Sequence, residues 1–387
     1  MNQKASKIII ICSACFFMGM AWNVLPIISG LLFAIGISKS EYSILTFTFV
    51  LAGLIFSSIA GIFGRIKGLK KVYVSGIFLC SFAMGLYALS YYLLNNLYLI
   101  LLIGQFILGV GITSILTSIS AYLYLYLPKT TAMILTGIFT CINLGSSSSP
   151  IFFNFLNSSN WGLNCLIISI ALFIMFFLAL NILPIVENPY IKKKCILKTN
   201  SSLLGIFFLT VILFALCELV FSYWGIIYLN QYKQINLQFS RFGLSSYWIA
   251  AGLSQLTICW LLKYIAPKYF YRILPVFLAL GFLGMFFATK FITIVISFML
   301  GGIGASAFIA LTMNFVEHDF KQSAEIASGI MFMGYFLGYV IGSLAIAETI
   351  KFIDLSKIFL FSAFIAIFIE IFTIYIVKKS KTSQNIY

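Results

Sequence analysis

Charge is what this 387-residue sequence has least of, with 33 charged side chains, 24 basic and 9 acidic. A soluble globular chain of the same length would carry about 97, a quarter of its residues. The deficit excludes a soluble enzyme, a disordered chain and a nucleic-acid binder together. Histidine is almost missing too: His318 stands alone between Glu317 and Asp319. A metal centre needs several ligands in a defined geometry, so the triplet reads as a solvated loop, and no metal or cofactor is expected. Without a second histidine or a Cys/His/Asp cluster, hydrolysis or acyl transfer has no machinery. No Gly-x-x-x-x-Gly-Lys-Ser/Thr loop is present to cradle a nucleotide phosphate, and an enzyme is not expected. The eight cysteines, at 12, 15, 80, 141, 165, 195, 217 and 259, fall nearly all inside apolar runs. Cys12-x-x-Cys15 accordingly reads as small buried hydrophobes, and no disulfide framework is inferred.

What the chain has in excess is apolar length: 62% of it is hydrophobic, roughly 240 side chains. A membrane crossing takes about 20 apolar residues to span ~30 Å of hydrocarbon, so the total suffices for about twelve. Apolar runs separated by polar interruptions lie at approximately 8–36, 42–63, 72–93, 97–127, 131–156, 162–186, 201–229, 242–266, 273–289, 291–315, 325–350 and 356–377. Runs this long without period-2 alternation satisfy their backbone only as helices, which excludes a barrel. The first run follows Lys4 and Lys7 like a signal peptide, yet continues for about 29 residues with no small-x-small cleavage site, and reads as a retained span. With the N-terminus in the cytoplasm, eighteen basic residues fall inside and six outside. That bias predicts an even number of spans and two cytoplasmic ends, so the net charge of +15 marks topology.

The sequence also repeats. Ser40-Glu41-Tyr42-Ser43 opens the second run as Ser240-Arg241-Phe242-Gly243 opens the eighth, and Ala52-Gly53-Leu54 recurs as Ala251-Gly252-Leu253. Leu108-Gly109 with Ser114 matches Leu300-Gly301 with Ser306, and Gly137-Ile138 matches Gly329-Ile330. These four offsets of 192 to 200, always from run n to run n+6, predict two six-helix halves, 1–186 and 201–387. The basic stretch 187–200, with Pro189 and Lys192-Lys193-Lys194, is then their cytoplasmic linker.

Twelve spans as six plus six, with cytoplasmic ends and a basic centre, resemble the major facilitator superfamily of secondary transporters over essentially the whole chain. That superfamily carries Gly-x-x-x-Asp-Arg-x-Gly-Arg-Arg between spans 2 and 3. Here Gly61, Gly68 and Lys70 stand in register, while Arg65, Ile66 and Leu69 occupy the Asp and two Arg positions. The resemblance implies a gating loop at Gly61, Arg65, Gly68 and Lys70 that has lost its acid, with Glu317-His318-Asp319 as a replacement latch. A narrower similarity, to the fucose-permease branch and its TsgA-like members, rests on Leu216-Cys217-Glu218 through Tyr223-Trp224, Ser245-Ser246-Tyr247-Trp248, and Thr46-Phe47-Thr48-Phe49 with Ala52-Gly53. Carriers of that branch use carboxylates in spans 1 and 4 for proton coupling, and this sequence has none in either. The resemblance further implies a monomer in a bacterial inner membrane, with lipid, a small-molecule substrate and possible co-transported protons as its only partners.

Polar groups deep in a bilayer are expensive, and in such transporters the substrate site lies near the midplane between the halves. Seven acids, Glu41, Glu187, Glu317, Asp319, Glu325, Glu348 and Asp354, fall at or near loop edges; Glu218 and Glu370 lie inside runs. Glu218, about 17 residues into the seventh run, can exchange a proton in each cycle or pair with a cationic substrate; a structural hydrogen bond is the alternative. Glu370 reads as a snorkelling or locally paired side chain. Trp22-Asn23 and Tyr223-Trp224 correspond across the repeat and can stack on a solute and fix it by hydrogen bonds. Gln105, Asn143, Gln255 and Asn314 are amides that bond either a neighbouring helix or the substrate. Pro26 and Pro150 can bend helices, with Ser146 to Ser149 placed to satisfy the carbonyls that Pro150 frees. The expectation is an all-α polytopic transporter of a small organic solute working by alternating access. Drug-like export, or a membrane receptor or scaffold that transports nothing, are the open alternatives.

Overall fold

The computed structural model describes residues 3–127, 131–156, 160–185, 201–349 and 352–380, and every regular element among them is helical. Twelve long segments follow in order. They are α1 (Gln3–Trp22, continued as Val24–Ala34), α2 (Lys39–Lys67), α3 (Leu69–Tyr92), α4 (Leu97–Tyr126), α5 (Thr131–Leu156) and α6 (Trp161–Ile182). Then come α7 (Ser201–Leu219, extended by wider turns to Tyr232), α8 (Leu237–Leu261), α9 (Pro267–Phe287), α10 (Phe291–Ala305 and Phe308–Asp319), α11 (Ala324–Thr349) and α12 (Leu355–Lys379). The expected linker 187–200 lies outside the described residues.

Local chemistry sets several boundaries. The Ser38 hydroxyl accepts the Glu41 N–H at 3.2 Å while the Glu41 carboxylate accepts the Ser38 N–H at 2.8 Å, a reciprocal cap that starts α2. Gly68, at φ +96°, forms the one-residue turn from α2 to α3, a conformation open to glycine without strain. Asn160 caps α6 by accepting the Leu163 N–H, and Pro267 occupies the first turn of α9, where its missing donor costs nothing.

Large apolar side chains cover the outside: Ile170, Phe173, Ile174 and Phe177 of α6 and Phe361, Phe364, Phe368 and Ile371 of α12 are all exposed. In water such a surface would be sticky; against lipid tails it is at rest. Among the described residues, ten helical segments are long and apolar enough to cross a membrane, two fewer than the twelve expected from the sequence. The two others are α5 and α8. Asn143, Ser146 to Ser149 and Pro150 dilute α5, and Ser245, Ser246, Gln255 and Thr257 dilute α8. They pack along one another, and there Asn143 and Gln255 are buried together, away from lipid.

The packing has a pattern. Within α1–α6 the main partners are α3 with α4, α3 with α6, α2 with α4, α1 with α5 and α1 with α6. Six helices on, α9 meets α10, α9 meets α12, α8 meets α10, α7 meets α11 and α7 meets α12. Individual contacts recur as well. Gly145 of α5 lies on the Phe16 carbonyl of α1 as Gly338 of α11 lies on the Ile212 carbonyl of α7. Gly109 of α4 lies on the Phe49 carbonyl of α2 as Gly302 of α10 lies on the Tyr247 carbonyl of α8. At all four a Cβ would collide with backbone, so the helices approach this closely only through glycine. Two long seams remain, α2 against α11 and α5 against α8.

Three expectations are corrected. The serines before Pro150 do not serve the carbonyl that Pro150 frees, which belongs to Ser146. Ser147 and Ser148 donate to Leu144 and Gly145 of their own helix, whereas Ser146 and Ser149 donate to the Gly19 and Met20 carbonyls of α1, at 3.2 and 3.1 Å. Those carbonyls belong to the last turn of Gln3–Trp22, where intrahelical partners run out. Second, Glu317 is not a loop acid: it is fully buried in α10 and accepts a 3.0 Å hydrogen bond from Ser328 of α11. Third, His318 belongs to the same helix, and its ring packs edge-on against Tyr124 of α4.

Candidate functional site

Three helices lose regular geometry at one level of the bundle. Helix α1 breaks at Asn23, because Pro26 has no N–H to return to the Trp22 carbonyl four residues back. In α7 the turns widen to π geometry over Val220–Trp224, directly after Glu218, and in α10 the helix is interrupted at Ser306 and Ala307. Such breaks recur at functional sites, because they free backbone groups and re-aim side chains.

The breaks border a part-open cavity of about 590 Å³, counting the space continuous with its mouth. Its walls come from seven helices: Trp22 of α1; Leu116 of α4; Phe139, Ile142, Asn143 and Ser146 of α5; Phe214 and Glu218 of α7; Trp248 and Ala251 of α8; Ala305, Ser306 and Ile309 of α10; and Phe332 and Tyr335 of α11. Glu218 is buried, and its Oε2 accepts a 2.9 Å hydrogen bond from the Tyr335 hydroxyl. Tyr339 stands one turn on, its Oη 3.2 Å from that of Tyr335. Trp22 meets the Tyr335 ring edge to face at 6.4 Å, and Tyr223 meets Tyr339 in the same manner at 6.0 Å. A carboxylate, two tyrosine hydroxyls and an indole therefore converge where α1, α7 and α11 meet.

The residues expected from the sequence divide into groups. Trp22, Asn143 and Glu218 line the cavity together. Gln255 stands just behind: Asn143 Nδ2 donates to its Oε1 at 2.7 Å, bridging α5 and α8, while its own Nε2 is buried without a partner. Tyr223 reaches the edge of the cluster through Tyr339, and Trp224, half-buried among apolar side chains, does not line the cavity. Asn23 is buried at the break in α1 and Asn314 in α10, both off the lining. Gln105 bonds the Tyr87 hydroxyl between α4 and α3, also away from the cavity. At the α2–α3 turn, Gly61 is buried beside Gly329 of α11, while Arg65, Gly68 and Lys70 are half-exposed. Glu370 pairs locally with Thr373, as expected.

Sequence reasoning missed Tyr335, Tyr339, Trp248 and Ser306. A signal was present: Tyr335 and Tyr339 are hydroxyls four apart in a span whose Gly334, Gly338 and Gly342 mark the face against α7. Two polar groups at i and i+4 beside a packing face point toward the neighbouring helix.

The sequence matches the Major Facilitator Superfamily over residues 9–240 and 206–386. The chain belongs to this superfamily. Solved superfamily structures of similar fold include the transporter FucP in an outward conformation, 14% identical with a TM-score of 0.77, covering 95% of this chain and 98% of that one. A single-substitution variant of the E. coli fucose:proton symporter FucP is 14% identical with a TM-score of 0.75, at 95% and 98% coverage. The human organic anion transporter MFSD10 is 14% identical with a TM-score of 0.73, at 96% and 100% coverage. No curated protein matches the sequence. Identity this low establishes the fold, and superfamily membership establishes a multi-span membrane transporter, not an enzyme.

Proposed function

We propose that the chain is a secondary active transporter that moves a small organic solute by alternating access, with proton coupling through Glu218. The observation that carries this reading is Glu218 itself, a buried carboxylate held by Tyr335 in a cavity walled by α1, α4 and α5 on one side and α7, α8, α10 and α11 on the other. A carboxylate in that position changes its local energetics with each proton it takes or gives, which links proton movement to the conformation around it.

The recurrence of helix pairings and glycine contacts supports two six-helix halves, 1–186 and 201–387, that rock on the α2–α11 and α5–α8 seams. The seams suit that motion: Gly53 sits under Phe336 and Gly329 over Ser57, while Gly252 sits under Leu144 and Gly137 faces the Cys259 sulfur. Small residues let such faces slide with little rearrangement. Gly61, Arg65, Gly68 and Lys70 end the α2–α11 seam, where the superfamily's gating loop lies; the basic-residue bias supports two cytoplasmic chain ends, and the proposed membrane is a bacterial inner membrane. The His318–Tyr124 contact joins α10 to α4 and is a candidate for the replacement latch.

The test is flux into liposomes containing the full chain, after a thermal-shift screen has supplied a solute that stabilises it. Accumulation should follow an imposed pH gradient, and Glu218→Gln should still exchange solute but lose the response to the gradient. Gradient-driven accumulation that survives Glu218→Gln would rule out the coupling role.

A further inference from the structure

The cavity lining carries one formal charge, and it is negative. Among the described lining residues Glu218 is the only acid, and there is no lysine, arginine or histidine. Six of the other fourteen are aromatic: Trp22, Phe139, Phe214, Trp248, Phe332 and Tyr335. Two of them are tied to the carboxylate: Tyr335 donates to it at 2.9 Å, and Trp22 meets Tyr335 edge to face. Another wall carries Trp248, nine-tenths buried, whose indole N–H has no partner and is itself covered in this conformation.

These features select a ligand by charge and by hydrogen bonding. Aromatic faces present negative potential, strongest for tryptophan, so rings and carboxylate both attract a cation. An anionic solute would meet repulsion from both and find no basic group in the lining. A buried N–H donor without an acceptor is costly until an oxygen reaches it. We infer that the cavity takes a small organic cation that also carries an oxygen acceptor. Its ammonium group sits against the Glu218 carboxylate and the Trp22 and Tyr335 rings, and its oxygen accepts from Trp248 once the indole turns its covered N–H into the cavity. This rests on the transport reading for the place of the site, not for its chemistry, because binding and movement can be measured separately.

The test uses the purified full chain and four probes: choline, its uncharged carbon isostere 3,3-dimethyl-1-butanol, tetramethylammonium, and benzoate. Calorimetry or thermal shift should detect both cations, with the isostere at least about tenfold weaker than choline and benzoate silent. Glu218→Gln should weaken choline about tenfold or more. Trp248→Phe keeps the ring and loses the donor; it should weaken choline severalfold and leave tetramethylammonium, which has no oxygen, unchanged. If Glu218→Gln does not fold, Trp22→Leu takes its place and should weaken both cations. Equal binding of choline and its isostere, tighter binding of benzoate, or no binding of either cation overturns the inference. Choline that binds but is not moved in liposomes sinks the transport reading alone, whereas transport of another solute without cation binding sinks only the cation.

Discussion

Cutting the Asn143–Gln255 bond should shift how often the α5–α8 seam is open, by an amount the structure bounds. Both side chains are buried, Gln255 fully, and the bond is a single 2.7 Å contact between α5 and α8. Interhelical hydrogen bonds inside membrane bundles are worth about 0.6 kcal/mol on average and about 1.7 at most. If rocking separates the seam, the bond exists only while it is closed, and its loss multiplies the open-to-closed ratio about threefold, and at most about 18-fold. Gln255→Met alone also removes the unpartnered Nε2, which stabilises the packed state and opposes the effect. A double-mutant cycle with Asn143→Leu cancels that contribution and leaves the pair. The assay is pulsed electron–electron spectroscopy on spin labels at the ends of α5 and α8 in lipid nanodiscs, read as populations of two distances. Zero coupling in the cycle, with unchanged populations in both single variants, would refute a seam that opens.

Three further outcomes are expected. Pro26→Ala gives α1 back a donor for the Trp22 carbonyl; it should straighten the helix, raise the unfolding midpoint by the equivalent of about 1–3 kcal/mol, and slow transport in liposomes. Gly145→Val drives a side chain into the Phe16 carbonyl and should cost about 1–3 kcal/mol by thermal denaturation, while Gly205→Ala, with nothing within 4 Å, should leave the midpoint unchanged or higher. The Ser38 backbone N–H, and then its hydroxyl, hold the Glu41 carboxyl below the usual glutamate range. A lowered folded pKa means a contribution present above the unfolded pKa and lost as pH falls through the folded one. Amide exchange at the start of α2 should therefore be slower in the wild type than in Glu41→Gln near neutrality, with the difference gone in acid.

Much of the fold was legible in the sequence because lipid imposes a simple rule: a crossing helix must be apolar for its whole length. Helices α3, α4, α7 and α12 fall where unbroken apolar runs place them. The rule weakened at α5 and α8, where Asn143 and Gln255 bond each other and Ser146 and Ser149 bond carbonyls of α1. It failed for Glu317 and His318, because a position near the end of a run says nothing about how far the helix continues or what packs over it. The serine run before Pro150 carried a correct polar signal, but its partners lay in α1, 127 and 129 residues away.

For the site, scarcity of charge singled out Glu218 before any geometry, since a buried acid in a membrane is too costly to be incidental. Repeat offsets brought Trp22 into view by the same one-dimensional logic. Which tyrosine holds Glu218, which amide Asn143 meets, and which indole is left without an acceptor were decided by the approach of α11 to α7 and of α5 to α8. Those approaches depend on glycines lying against carbonyls of distant helices, contacts that no local pattern encodes. Composition and periodicity are properties of the chain in one dimension and fix what must be buried; the pairing of buried polar groups is a property of three, and only the packed bundle sets it.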